Sequence, residues 1–184
     1  MTRQELEHII RAAADVTNQE ELIIIGSQAI LGQYPNAPEE LLISMEADVY
    51  APKAPELSDL IDGAMGPDTP FDRTHGYHAD GVSPTTASLP DGWENRLTPI
   101  SNPNTNGATG WCIEVHDIAI AKYAAGREKD LRYTGHLWEH AMLDSETLAE
   151  RLRNTDLKAT DKPRHWIEAT VARQRRRHQN QSCD

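Results

Sequence analysis

The apolar residues of "RQELEHIIRAAADV" (3–16) fall at Leu6, Ile9, Ile10 and Ala13, a spacing that predicts an amphipathic helix. "LIIIG" (22–26) then shows no polar alternation, the mark of a strand buried on both faces. "SQAILGQ" (27–33) predicts a short helix directly after it. "EADVYAP" (46–52) reads as a strand stopped by proline, and "PELSDLIDGAM" (55–65) as a helix with proline and carboxylates in its first turn.

From Gly66 to Gly110 the pattern dissolves into Gly, Pro, Asn, Thr and Asp, and only "YHADGV" (77–82) and "NRLTPIS" (95–101) have the character of strands. Irregular segments of this length are commonly functional or mobile. "TGWCIEVHD" (109–117) predicts a strand with Cys112 and Glu114 on one side and Trp111, Ile113 and Val115 on the other. The rest is helical: residues 116–144, then "SETLAERLRN" (145–154) with a cap at Ser145, then "KPRHWIEATVARQRRRH" (162–178). No internal repeat is present. The order of elements predicts an α+β fold, with a mixed sheet flanked by helices over residues 1–120 and a helical C-terminal segment over 121–184.

Composition narrows the class. A chain of 184 residues buries a sizeable core without covalent staples, and its two cysteines, Cys112 and Cys183, form no CxxC pair and no disulfide framework. The beginning of the chain is charged and amphipathic rather than signal-like, and no apolar run reaches membrane-spanning length. A cytoplasmic location with no membrane partner is the expectation. The net charge of −11 is divided unevenly: residues 1–120 carry 5 Lys/Arg against 19 Asp/Glu, and residues 121–184 carry 13 against 10. That acidity argues against a general nucleic-acid coat protein, and the basic run "ARQRRRHQNQ" (172–181) fits a solvated helix end as well as an anion-binding patch.

Candidate chemistry begins at Gly26 and Ser27. Glycine lets a backbone come close to a ligand, a hydroxyl adds a donor, and a following helix presents its N–H groups, so the pair suits either a phosphate or an ordinary capped turn. Glu46 and Asp48 stand two apart on a strand and share a face, where two like charges call for a cation with oxygen preference. Glu114 would add a third carboxylate if its strand were a neighbour. Further on, Lys122, Gly126 and Lys129 would share one face of a continuous helix, flanked by Arg127 and Asp130.

Taken in order, "GSQAILG", "SMEADVY", "GYHADGV" and "AAGREKDL" resemble the nucleotidyltransferase fold of the polymerase-beta superfamily. The last segment is similar to the AbiEii-type branch of nucleotidyltransferase toxins and to bacterial relatives of that branch. The resemblance spans roughly residues 20 to 150. It implies that Gly26 and Ser27 hold the β- and γ-phosphates of a nucleoside triphosphate, and that Glu46, Asp48 and Glu114 bind two Mg²⁺ ions. It also implies phosphate contacts from Lys122, Arg127 and Lys129 and a catalytic role for Asp130. The reaction so implied passes a nucleotide to an RNA or protein hydroxyl, and a toxin of this kind would have an antitoxin partner. The chain departs from the superfamily pattern twice: Glu46 stands where aspartate is usual, and eighteen residues separate Ser27 from Glu46. Both departures fit a fold that has lost its chemistry and serves as a binding or regulatory module.

One competing motif remains. "HLWEH" (136–140) matches the H-x-x-E-H pattern of inverted zinc peptidases, with His136 and His140 on one helix face and Glu139 as base. Such a site needs a distant third ligand, for which only Glu146, Glu150 and Glu168 are available downstream. The histidines of "HGYHADG" (75–81) are expected in a substrate loop or a plain turn.

Overall fold

The computed structural model describes residues 1–158, 160 and 162–181. Cys183 lies outside the described residues. The chain forms two compact units, one of Met1–Ala87 with Glu94–Glu114, the other of Ser88–Trp93 with Val115 onward.

The first unit is built on a five-stranded mixed sheet in the order β3-β2-β1-β5-β4. Helix α1 (Arg3–Thr17) opens with a reciprocal capping box between Thr2 and Glu5 and closes at Asn18 in the left-handed region. Its buried stripe of Leu6, Ile9, Ile10 and Ala13 is the one the spacing predicts. Strand β1 (Glu21–Ile25) lies between β2 (Glu46–Tyr50), antiparallel to it, and β5 (Thr109–Cys112), parallel to it, which explains its unbroken apolar run. On the outer side of β2 runs β3 (His78–Gly81), parallel; on the outer side of β5 runs β4 (Thr98–Ile100), antiparallel. Helix α3 (Ser58–Met65) packs on β3 and against α1.

Several elements differ from the expectation. The segment after Gly26 is a 3₁₀ turn (Ser27–Ala29) followed by the single-turn helix α2 (Ile30–Gln33). The Gly66–Gly110 stretch contains, besides both expected strands, helix α4 (Pro70–His75), capped by Thr69 and closed by Gly76 at φ +74. Its start and stop signals are plain in "TPFDRTHG", but six residues are too few to show a helical period. Strand β5 ends at Cys112, and the chain turns into α5 (Val115–Ala125), so Glu114 sits beyond the strand and Val115 already belongs to the helix.

The second unit is helical: α5, α6 (Glu128–Glu139), α7 (Ser145–Arg153) and α8 (Arg164–Gln181). Gly126, at φ +61, breaks what the pattern presented as one helix. A Cβ there would meet Lys162 Cγ at 2.8 Å and Trp166 at 3.2 Å, so its missing side chain also admits the segment leading into α8. The cap of α7 is Asp144, whose carboxylate accepts from Thr147 N at 2.8 Å, rather than Ser145. At the centre, Tyr123 donates to Gln174 Oε1 at 2.7 Å and accepts from Trp138 Nε1 at 2.9 Å, tying α5, α6 and α8 together. Arg151 of α7 pairs with the fully buried Asp117 of α5 at 2.8 Å. Among the described residues no helix is long and apolar enough to cross a membrane.

Candidate functional site

The strand alternation of β2 buries Ala47 and Val49 and leaves Glu46 and Asp48 partly exposed on the opposite face. In β3 the same alternation buries Ala79 and leaves His78 and Asp80 partly exposed. Because β2 and β3 are parallel and in register, Glu46 faces His78 across the ladder and Asp48 faces Asp80. One donor atom each of Glu46, His78 and Asp80 lies within 4.8 Å of the others, the only such group of three among the described residues.

Asp80 is therefore a carboxylate on the strand next to Glu46 and Asp48, the position that the sequence reading gave to Glu114. Strand β1 separates β2 from β5, and Glu114 lies past the end of β5. The strand character of "YHADGV" comes from the period-2 alternation of buried Tyr77 and Ala79 with His78 and Asp80, and His78 stands on that strand rather than in a loop or turn.

The site is braced from two sides. Gly81 N donates to Asp62 Oδ1 at 2.5 Å and Ser58 Oγ donates to Val82 O at 2.8 Å, fastening the end of β3 to α3. A Cβ on Gly81 would collide with Ser58 O, so this close approach requires glycine. On the other side, His78 Nδ1 lies 3.2 Å from Asp72 Oδ1, and Asp72 Oδ2 accepts from Asp68 N at 3.0 Å. His78 Nε2 is 3.7 Å from Asp80 Oδ1.

Gly26 adopts φ +73 and ψ −159, a conformation open to glycine, and a Cβ there would occupy the space of Asp48 Oδ2. The end of β1 is thus shaped around the Asp48 carboxylate, with Ser27 starting the turn beside it. The helix behind Ser27 is too short to carry much dipole, so the turn offers local N–H and hydroxyl groups rather than a helix end. Gln28, next in line, is fully buried, and neither its amide oxygen nor its nitrogen has a protein partner.

Lys122, Arg127, Lys129 and Asp130 all belong to the second unit. Lys122 and Asp130 meet there in a buried ion group. Asp130 is fully buried; Arg127 holds it at 2.6 Å through Nε and 3.3 Å through Nη2, and Lys122 Nζ lies 3.2 Å away and 5.3 Å from the centre of the Tyr133 ring. Burial alone would raise the Asp130 carboxyl; the Arg127 hydrogen bond and the Lys122 and Arg127 charges outweigh it and hold the group below the ordinary aspartate value. Because Gly126 ends α5, Lys129 stands exposed on α6 and does not continue the Lys122 face. In "HLWEH", His140 caps the end of α6, and Glu139 Oε2 is taken by His136 Nδ1 at 2.7 Å.

A carboxylate pair on one strand, a third carboxylate in register on its neighbour and a glycine–serine turn at the adjoining strand end define a nucleotidyltransferase-type core. The comparison with protein families agrees: residues 4–177 match the family described as "Nucleotidyltransferase of unknown function (DUF6036)", and the chain belongs to that family. No curated protein and no solved structure matches the chain.

Proposed function

We propose that this nucleotidyltransferase transfers a nucleotide from a nucleoside triphosphate to a hydroxyl of RNA or protein, using a divalent-cation centre held by Glu46, Asp48 and Asp80. The observation that supports this reading best is the register of Asp48 with Asp80, which sets carboxylates of two adjacent strands side by side next to Glu46. Like charges so placed favour a hard dication, and the donor set fits one. When bound, that cation would neutralise phosphate charge and lower the pKa of the acceptor hydroxyl. The protein's part is positional. Glu46, Asp48 and Asp80 hold the cation, Gly26 keeps the Asp48 carboxylate in place, and the Ser27 hydroxyl and N–H face the β- and γ-phosphates. A toxin role, with an antitoxin as partner, rests on the AbiEii-type resemblance of the last segment.

The test is calorimetric titration of the four nucleoside triphosphates with Mg²⁺ into the wild type and Asp48→Ala. It is paired with transfer of an α-labelled nucleotide to total RNA and to protein. Saturable binding and labelling, both lost in Asp48→Ala, are expected. Binding without labelling of any acceptor would favour the binding or regulatory module. No binding at millimolar nucleotide would refute the transferase reading.

A further inference from the structure

The donor set described above contains a nitrogen. His78 projects from the same face of the β2–β3 ladder as Asp80, and its side chain is 18% exposed. Its two ring nitrogens have different surroundings. Nδ1 is taken by Asp72, whose own carboxylate is oriented by the Asp68 N–H at the start of α4; Nε2 is the nitrogen turned toward Asp80. A carboxylate on one imidazole nitrogen fixes the tautomer and ring orientation, and raises the basicity of the other nitrogen as a metal ligand. The 3.7 Å from Nε2 to Asp80 Oδ1 is too long for a hydrogen bond and suits two ligands of one ion. Octahedral ligands at roughly 2.1 Å stand about 3 Å apart when adjacent and about 4.2 Å apart when opposite. Donor atoms already within 4.8 Å of one another reach those spacings with small side-chain adjustments.

We infer that His78 Nε2 is a ligand of the same cation as Glu46 and Asp80, with Asp72 as its orienting partner, and that the centre selects a first-row transition dication such as Mn²⁺ over Mg²⁺. Mg²⁺ keeps to oxygen donors and water, whereas imidazole suits transition dications. The inference rests on the metal-centre reading above but does not require nucleotide transfer.

Mn²⁺ alone serves as the probe, without nucleotide. Titration of the wild type should give Mn²⁺ affinity at least tenfold above Mg²⁺. Pulsed electron paramagnetic resonance of the Mn²⁺ form should show the coupling of one directly bound ¹⁴N, and labelling the protein with ¹⁵N-histidine should replace it with a ¹⁵N coupling. His78→Gln should lose the nitrogen signal and 10- to 100-fold in Mn²⁺ affinity, with Mg²⁺ affinity changed less than threefold; Asp72→Asn should weaken Mn²⁺ about tenfold. The isotope exchange needs no variant, so it decides the matter even if a substitution disturbs folding. Equal affinity for the two ions, or Mn²⁺ bound with no histidine nitrogen, would overturn the inference and leave His78 as a hydrogen-bond partner of Asp72. Transfer activity with Mg²⁺ but no nitrogen signal would sink this inference alone. A nitrogen-bound Mn²⁺ with no nucleotide binding would sink the transferase reading alone.

Discussion

Replacing Asp130 by asparagine keeps its shape and removes its charge. In the folded chain this leaves the Lys122 ammonium, on a side chain only 13% exposed, 3.2 Å from a neutral amide in place of a carboxylate. Breaking a buried ion pair by removing one partner typically costs about 3–5 kcal/mol. The lower end applies here, because the Arg127 side chain is 61% exposed and can turn to water, and the Tyr133 ring still faces the ammonium. Asp130→Asn should therefore lose about 3 kcal/mol, a fall of roughly 1 M in the urea midpoint for a slope of about 2–3 kcal/mol/M. Lys122→Met alone leaves Asp130 with Arg127 and should cost less. In the double variant no buried ammonium is stranded, so the two effects should fall short of additivity by about 1–2 kcal/mol. The pH dependence has a definite sign. The folded-state pKa of Asp130 is depressed, so its contribution is complete above the unfolded carboxyl value near 4 and is lost as pH falls through the lower folded value. The gap between wild type and Asp130→Asn should close on acidification below about pH 4. An Asp130→Asn protein within about 0.5 kcal/mol of wild type at neutral pH, with additive double-variant energies, would refute the buried-charge argument.

Other perturbations follow from the first unit and from Tyr123. Gly26→Ala should cost about 2–3 kcal/mol, from its positive φ and from displacement of Asp48, and should abolish divalent-cation binding in the same titration. Gln28→Met removes one buried amide, whose oxygen and nitrogen both lack protein partners, at nearly constant volume; a gain of about 1 kcal/mol in urea unfolding is expected, and a loss would mean that the amide meets buried water. Tyr123→Phe strands Trp138 Nε1 and should cost about 1–3 kcal/mol by the same assay. Burial pushes the Cys112 thiol up to about 12, so in a Cys183→Ser background an aromatic disulfide reagent at pH 8 should react only after denaturation.

How far the sequence can be read depends on which physical signal each element carries. Helix α1 and strand β1 were legible because burial writes a period, 3.6 for one and an unbroken apolar run for the other. Helix α4 was not, because six residues are too few for a helical period to rise above the Gly- and Pro-rich composition around them. Strand pairing is equally hidden from the pattern of one segment. Glu114 could be a third carboxylate only if its strand neighboured β2, and pairing across the sheet, which one strand's pattern does not encode, instead brings Asp80 beside Asp48. Gly26 shows the converse. Its type and place predict a close approach, and the structure supplies the partner: the space a side chain would need is filled by Asp48 Oδ2. The glycine is thus explained by a carboxylate before any phosphate is invoked. On the proposed reading, a phosphate at Ser27 would meet a turn already shaped around the carboxylate proposed to hold its cation, and the nucleotide and metal positions would be coupled through that one contact.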